Sequence, residues 1–238
     1  MLVNNEIDVL SELLPLDDGL RLIELGCGSA RLLTELLQRC TRCTALALEV
    51  DAVQHAKNLA RLPDALKPRL RFLQQSATAM TAADDSFDLA LMLKSLHHIA
   101  PASMPDALQQ TWRVLRPGGW LYVSEPVYDG ALNAIVKLYN DEGEVRAAAQ
   151  AALDAAVRSG RWEQLAERRF DMPVHFPNWQ AFEQRMLYPS FADHQISESL
   201  RHAIKAAFDP HCGEHGADFT RPMHARLLRK LPADRPAP

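Results

Sequence analysis

The residues with the clearest potential for chemistry lie in one short segment, Glu24-Leu25-Gly26-Cys27-Gly28-Ser29-Ala30. Gly26 and Gly28 lack a Cβ, so the backbone there can turn sharply and approach a ligand closely. A helical pattern follows, and its first N–H groups and positive dipole end would face the same point. Ligands of open α/β sheets bind at the carboxyl ends of such strands, so the segment predicts a ligand-binding turn.

Glu24 decides which ligand this turn favours, because it places an acid two residues before the first glycine. Dinucleotide-binding loops hold a pyrophosphate with the spacing G-x-G-x-x-G, whereas Arg31 stands where the third glycine would be. A carboxylate repels a pyrophosphate but attracts a cation, and S-adenosylmethionine carries an ammonium and a sulfonium. The loop therefore favours that cofactor, while a tight turn without a ligand stays open as an alternative.

A second acid, Glu49, ends the next apolar run about 20 residues after the glycine loop. An acid in that position can accept hydrogen bonds from the two ribose hydroxyls of a nucleoside, a feature shared with NAD enzymes. Asp51 follows it, and we expect Asp51 to cap the helix that begins at Ala52.

Alternating strands and helices must position these residues. The predicted strands are Leu20–Leu25, Thr44–Val50, Leu70–Gln74, Phe87–Leu93 and Trp120–Ser124, and the predicted helices are Ile7–Leu14, Ala30–Cys40, Ala52–Leu62 and Met104–Leu115. This alternation predicts crossovers and a parallel sheet with helices on both faces. After Pro126 the predicted helices are Leu132–Tyr139, Glu144–Ser159, Asn178–Tyr188 and Ser197–Phe208, with closing strands at Arg168–Phe176 and Phe219–Leu228.

Two further segments complete a pattern. Asp84–Ile99 contains the fourth strand and a His-His pair, and Leu115–Leu121 contains Arg-Pro-Gly-Gly. In this order, from Leu20 to Pro126, the chain resembles class I S-adenosylmethionine-dependent methyltransferases, more narrowly their type 11, ubiquinone-biosynthesis-like group of small-molecule methyltransferases. The resemblance implies an α/β, Rossmann-like, doubly wound fold with a mostly parallel seven-stranded sheet. It divides the chain into an N-terminal helix (1–19), a cofactor-binding core (20–126) and a helical lid with closing strands (127–238).

The resemblance also implies roles for individual residues. The first loop would hold the methionine part of the cofactor, Glu49 the ribose and Val50 the adenine, and the end of the fourth strand would flank the sulfonium. The chain departs from the family at Ser76, where an Asp often binds the adenine amino group, and at Ala30, where a glycine is usual. The implied cofactor-binding residues are Glu24, Gly26, Cys27, Gly28, Glu49, Val50, Ser76, Ala77, Met92 and Leu93.

His97 and His98 are the candidates for a catalytic base, with His98 preferred, because a His of near-neutral pKa can accept a proton from an O–H or N–H acceptor. Glu125 and Tyr128 follow the fifth strand and are expected to line the acceptor pocket, although Glu125 could instead cap the next segment. Tyr139 is interpreted as packing. No metal site is expected, because the Cys40-x-x-Cys43 pair has no second pair nearby.

The predicted activity is in-line transfer of a methyl group to a small-molecule acceptor, with S-adenosylhomocysteine as product. Three alternatives stay open: an inactive cofactor-binding or partner subunit, an NAD-dependent oxidoreductase, and an RNA methyltransferase. A net charge of −4 argues against nucleic acid. With no leader or membrane-spanning run, we expect a cytoplasmic monomer or homodimer.

Overall fold

Five parallel strands form one side of a central sheet in the computed structural model, which describes residues 1–190 and 192–232. They are β1 (Arg21–Leu25), β2 (Thr44–Glu49), β3 (Leu70–Gln74), β4 (Phe87–Leu93) and β5 (Leu115–Pro126). Their order in space is β3-β2-β1-β4-β5. All five were predicted. β5 begins five residues before the predicted start at Trp120, because Pro117-Gly118-Gly119 forms the irregular beginning of the strand instead of a separate turn.

Antiparallel strands complete the sheet beyond β5. β8 (Gly216–Lys230) pairs with β5 on one side and with β6 (Trp162–Phe176) on the other, and the two-residue β7 (Cys212–Gly213) forms a hairpin with β8. The path therefore holds the seven strands that were predicted, and β7 is an eighth. β6 starts before the predicted Arg168, since this edge strand opens with charged, half-exposed residues that lack an apolar alternation.

Helices cover both faces of the sheet. They are α1 (Glu6–Leu13), α2 (Arg31–Arg39), α3 (Ala52–Arg61), α4 (Met104–Val114), α5 (Ala131–Val136), α6 (Gly143–Arg158), α7 (Trp179–Phe182) and α8 (Glu198–Phe208). The single helix predicted over Asn178–Tyr188 is wrong, because α7 is followed by a π-helical turn at Glu183–Leu187. Within the described residues, no helix combines the length and apolarity needed to cross a membrane.

Successive residues of the central strands point to opposite faces of the sheet and pack into two separate cores. Leu22 and Leu89 belong to a cluster with the apolar side chains of α1 and α2, whereas Ile23 and Ala90 belong to a cluster with those of α4 and α6. This alternation is what a strand buried on both faces requires, and it confirms the doubly wound fold. A third, aromatic-rich cluster joins α5, α7 and α8 to β6 and β8, and it consists only of residues after Pro126.

The turn that opens β5 has no room for a side chain at Gly119. A Cβ there would lie 2.9 Å from the Arg116 carbonyl oxygen and 3.2 Å from the Asp88 carbonyl oxygen. Both neighbours are backbone atoms, so they cannot move aside without disturbing the pairing of β4 with β5.

We therefore expect Gly119→Ala to lower the free energy of unfolding by about 1–3 kcal/mol, the usual cost of overpacking. Gly213→Ala is the matched control, because the nearest atom to a Cβ there is 3.8 Å away, and we expect a change within about 0.5 kcal/mol. Urea denaturation followed by circular dichroism measures both. Equal losses in the two variants would contradict the close-approach argument.

Candidate functional site

The glycine loop after β1 is held in place by the end of β2. The N–H groups of Gly26 and Cys27 both donate to the Leu48 carbonyl oxygen, at 3.0 and 2.9 Å. Gly26 has φ +70°, and a Cβ there would lie 2.8 Å from the Cβ of Ser95. Gly28 has φ +51°, and a Cβ there would meet no atom within 4 Å, so open space lies beside it. The chain thus turns tightly beside an open groove, as the sequence predicted.

Glu49 ties the loop to the start of α3. One oxygen of its carboxylate accepts the Gly28 N–H at 2.7 Å, and the other accepts the Asp51 N–H at 3.0 Å. The Gly28 N–H, which would bind a phosphate in a dinucleotide-binding loop, is therefore already hydrogen-bonded to a carboxylate. Asp51 accepts the Val53 N–H at 2.9 Å, which confirms its predicted role as cap of α3. The Ser190 hydroxyl also donates to Asp51, at 2.5 Å, and lowers the pKa of that carboxyl.

Glu24 is a buried acid with an unused hydrogen-bonding atom. Its side chain lies at the end of β1 and is 2% exposed, and within the described part of the chain its Oε2 has no hydrogen-bond partner. Burial raises the pKa of Glu24 to about 8, with smaller increases from Glu6 and Glu49 and an opposing effect from Lys94. A carboxyl in this state gains free energy when a cationic donor reaches it.

Lys94 connects the groove to the N-terminal helix. It follows β4 with φ +57°, and its N–H donates to the Ser124 carbonyl oxygen at 2.7 Å. Its Nζ lies 3.2 Å from the carboxylate of Glu6, which is 1% exposed and also accepts a hydrogen bond from the Tyr122 hydroxyl at 3.5 Å. Glu6 was not predicted as a site residue, because in the sequence it is simply an acid in the first turn of an amphipathic helix.

Glu125 orients one of the two histidines. Its Oε1 accepts the Leu96 N–H at 2.9 Å, and its Oε2 forms a short hydrogen bond with Nδ1 of His97. Glu125 and His97 are both buried. Glu125 was expected to line the acceptor pocket; it is not among the residues that line the cavity next to His97.

His98 packs against His97 and faces the same cavity, with the ring centroids 4.1 Å apart. Crowding by protein atoms and the neighbouring His97 lower the pKa of His98, although its ring remains exposed to water on the cavity side. Ligating atoms of His97, His98 and Glu142 lie within 4.8 Å of one another, a grouping that the sequence did not predict. Both Glu142 oxygens already accept hydrogen bonds, from Arg146 at 2.6 Å and from Asn140 at 2.9 Å, so the group is arranged as a hydrogen-bonded network.

The cavity beside the histidines has a volume of about 190 Å³ and lies between the ends of β4 and β5, α5, and the π-helical turn. Tyr139 packs against the third core cluster, as interpreted from the sequence, and also lines this cavity. Tyr128, predicted to contact the acceptor, lies outside the lining residues and donates a hydrogen bond to Asp141 at 2.6 Å. Arg185 and Arg221 also line the cavity. No sequence signal pointed to them, since they lie on separate elements and belong to no local motif.

The other predicted cofactor residues are loop residues and two residues of β4. Val50 is 62% exposed at the end of β2, where an apolar ring could cover it. Ser76 shares a hydrogen bond of 2.8 Å with the Thr78 hydroxyl, and Ala77 beside it is buried. Burial raises the pKa of the Cys27 thiol, which keeps it neutral.

The strand residues Met92 and Leu93 differ from the loop residues. Met92 is fully buried in the core cluster that contains α4 and α6, and Leu93 packs against the opposite cluster. Their side chains therefore serve the cores, and only the backbone at the end of β4 reaches the groove.

Residues 23–123 match the sequence model of a family described as a methyltransferase domain. The 27-O-demethylrifamycin SV methyltransferase of Amycolatopsis mediterranei is 33% identical over 50% of this chain and 43% of its own length. The ubiquinone/menaquinone biosynthesis C-methyltransferase UbiE of Dinoroseobacter shibae is 32% identical over 44% of this chain and 42% of its own length. The chain therefore spans less than half the length of these curated relatives.

Among solved structures, the YcgJ protein of Bacillus subtilis superposes with a TM-score of 0.66 at 14% identity, covering 96% of this chain and 99% of that one. At this identity the likeness concerns the fold, which agrees with the sheet order and the two core layers described above. The segment that matches the family model, residues 23–123, runs from β1 through most of β5. It includes the glycine loop, Glu49 and the histidine pair. Residues 23–123 of this chain are accordingly similar to the methyltransferase domain family, and the rest of the chain lies outside that match.

Proposed function

We propose that the chain is an S-adenosylmethionine-dependent methyltransferase acting on a small-molecule acceptor. The observation that carries this proposal is the Glu24 carboxyl, which is buried at the glycine loop with an oxygen for which residues 1–190 and 192–232 supply no donor. A buried acceptor of this kind costs free energy unless a ligand supplies a donor or a positive charge. The ammonium of S-adenosylmethionine supplies both.

The neighbouring groups fit the rest of that cofactor. Gly28 borders open space, so the backbone can lie against the methionine part of the ligand. Glu49, at the end of β2, is placed to accept hydrogen bonds from ribose hydroxyls, and the exposed Val50 to pack on adenine. A diphosphate fits poorly, because Glu49 already occupies the Gly28 amide and a nearby anion would oppose ionisation of Glu24 still further.

When bound, S-adenosylmethionine supplies an electrophilic methyl carbon on a sulfonium, open to in-line displacement. The chain's own contribution is to align an acceptor and exclude water. The cavity lined by His97 and His98 is the space for that acceptor. Burial and the neighbouring His97 lower the pKa of His98 to about 4, which leaves the ring neutral at pH 7 but makes it a weaker base than an ordinary histidine; His98 is the proposed proton acceptor on the ground of its position in the cavity. His97, held by Glu125 on its Nδ1 side, is the proposed positioning residue.

Isothermal titration calorimetry tests the binding half of this proposal. We expect saturable binding of S-adenosylmethionine and of S-adenosylhomocysteine to a single site per chain. Formation of S-adenosylhomocysteine in the presence of small-molecule acceptors tests the transfer half. Absence of binding by both compounds would overturn the proposal, and binding without transfer to any acceptor would favour a cofactor-binding subunit.

Glu49→Gln should weaken S-adenosylhomocysteine binding about tenfold to a hundredfold, the range for losing a hydrogen bond to a charged group. The amide can accept only one of the two N–H groups that the carboxylate now holds. Glu12→Gln, an exposed glutamate on α1, is the matched control and should bind like the unmodified chain. Affinity within twofold for both variants would remove Glu49 from the cofactor site.

Binding should release a proton through Glu24. Because burial raises its pKa to about 8, this carboxyl is mostly protonated at about pH 6.5, and a bound cation favours the ionised form. We expect close to one proton released per S-adenosylhomocysteine at about pH 6.5 and almost none at about pH 9.5. Calorimetry in buffers of different ionisation enthalpy measures the number.

Glu24→Gln cannot release that proton and should bind more weakly, whereas Glu12→Gln should keep both the release and the affinity. A release that persists in Glu24→Gln would mean that another group titrates on binding. Glu24 would then lose its assigned role as the partner of the ammonium.

A further inference from the structure

The acceptor cavity contains more positive charge than its own acids neutralise. Three arginines line it: Arg146, Arg185 and Arg221. The charge and N–H groups of Arg146 already have partners in the protein, because Arg146 pairs with Glu142 at 2.6 Å and donates to the Asn133 side chain at 2.9 Å. Arg185 and Arg221 have no such acidic partner among the described residues.

Arg221 lies on β8 and is only partly accessible to water. Within the described ranges, 1–190 and 192–232, no carboxylate lies within 4.0 Å of its guanidinium and no hydrogen-bond acceptor is found for it. Burial, with the nearby charges of Arg185 and Arg146, lowers the pKa of Arg221 to about 10 against a smaller opposing effect of Glu142 and Tyr139, so the group is still a cation at pH 7. Holding an unpaired cation in this way destabilises the chain until an anion arrives.

Arg185 lies at the rim of the same cavity, on the π-helical turn. Its guanidinium is 5.4 Å from the centroid of the Phe176 ring, and it has no acidic partner in the part of the chain that the structure describes. The aromatic contact fixes where the positive charge lies without neutralising it. Arg185 and Arg221 come from separate elements and converge on one space of about 190 Å³.

Tyr139 adds a neutral donor to the same wall. Its hydroxyl is buried and has no hydrogen-bond partner among the described residues. Both oxygens of Glu142 have donors, from Arg146 and Asn140, and one oxygen of the exposed Asp129 accepts the Gly130 N–H at 2.7 Å. Arg185, Arg221 and Tyr139 therefore leave unused donors on this wall, and their complement is a group that only accepts hydrogen bonds.

We infer that the methyl acceptor carries a carboxylate or phosphate, which the guanidinium of Arg221 binds inside the cavity while Arg185 contacts it at the rim and Tyr139 donates to it. This inference rests on the proposed function, because it takes the cavity beside His98 as the acceptor space. A planar guanidinium suits either oxyanion, since both offer two oxygens to parallel N–H donors.

The test uses the full chain saturated with S-adenosylhomocysteine and two probes of nearly equal shape, benzoate and benzamide. Calorimetry should show benzoate binding at least about tenfold tighter than benzamide, with an affinity that falls as KCl is added. Arg221→Gln should remove at least about tenfold of the benzoate affinity and leave benzamide binding unchanged. Arg185→Gln should have a smaller effect in the same direction, because that residue is at the rim.

Arg158→Gln is the matched control, an exposed arginine on α6 away from the cavity, and should leave benzoate affinity unchanged. A parallel titration with inorganic phosphate distinguishes a carboxylate from a phosphate acceptor. Whichever of benzoate and phosphate binds more tightly, and loses affinity in Arg221→Gln, identifies the oxyanion that the cavity binds. S-adenosylhomocysteine affinity reports on the fold of every variant, and Arg185→Gln carries the test if Arg221→Gln fails to fold.

Equal binding of benzoate and benzamide, failure of benzoate and phosphate to bind at millimolar concentration, or benzoate binding that survives both substitutions would overturn the inference. If the unmodified chain binds S-adenosylhomocysteine in those experiments, only the acceptor class is wrong. If it does not bind S-adenosylhomocysteine, the proposed function fails as well.

Discussion

The glycine loop can exist in its observed form because two acceptors at the end of β2 take three of its amides. The Leu48 carbonyl takes the amides of Gly26 and Cys27, and the Glu49 carboxylate takes the amide of Gly28. These bonds satisfy amides that the turn would otherwise leave unpaired, so the backbone can adopt positive φ angles without losing hydrogen bonds. This arrangement sets where α2 begins. It also leaves open space beside Gly28 and keeps Glu24 buried.

Charge is distributed unevenly along the groove that results. The cofactor end is acidic, with Glu24 and Glu49 close to the loop, whereas the acceptor end has Arg185 and Arg221 without acidic partners among the described residues. Lys94 and His97 line the same cavity as the two arginines. Under the proposals above, a cation would bind at the acidic end and an anion at the arginines, and each would supply the partner that a buried group of the free chain lacks.

Sequence patterns predicted the parallel half of the fold well because each strand is buried on both faces, which requires an apolar run, and each helix is amphipathic. The tight turn at the glycines and the cap at Asp51 were predicted because both depend on residues close by in the sequence. Predictions failed where structure depends on distant partners. β6 is an edge strand whose pairing with β8 has no local pattern, and the π-helical turn after α7 has none either.

The residues that line the acceptor cavity were also hard to predict, because they come from distant parts of the sequence. Arg185 and Arg221 come together only because β8 folds back between β5 and β6 and brings the two elements to one wall. Tyr128 and Glu125 were predicted from their place after β5, but a side chain there can turn to either side of the chain. Tyr128 turns towards Asp141, and Glu125 turns inward to His97.

The ion pair between Lys94 and Glu6 gives the first helix an influence on the groove that its position in the sequence does not suggest. Lys94 also lowers the pKa of Glu24, whereas the negative charge of Glu6 raises it, so the two buried acids share the charge of one lysine. Without Glu6 that charge would act on Glu24 alone, and the pKa of Glu24 would fall. The amino-terminal helix thus helps to keep an internal carboxyl protonated until a ligand arrives.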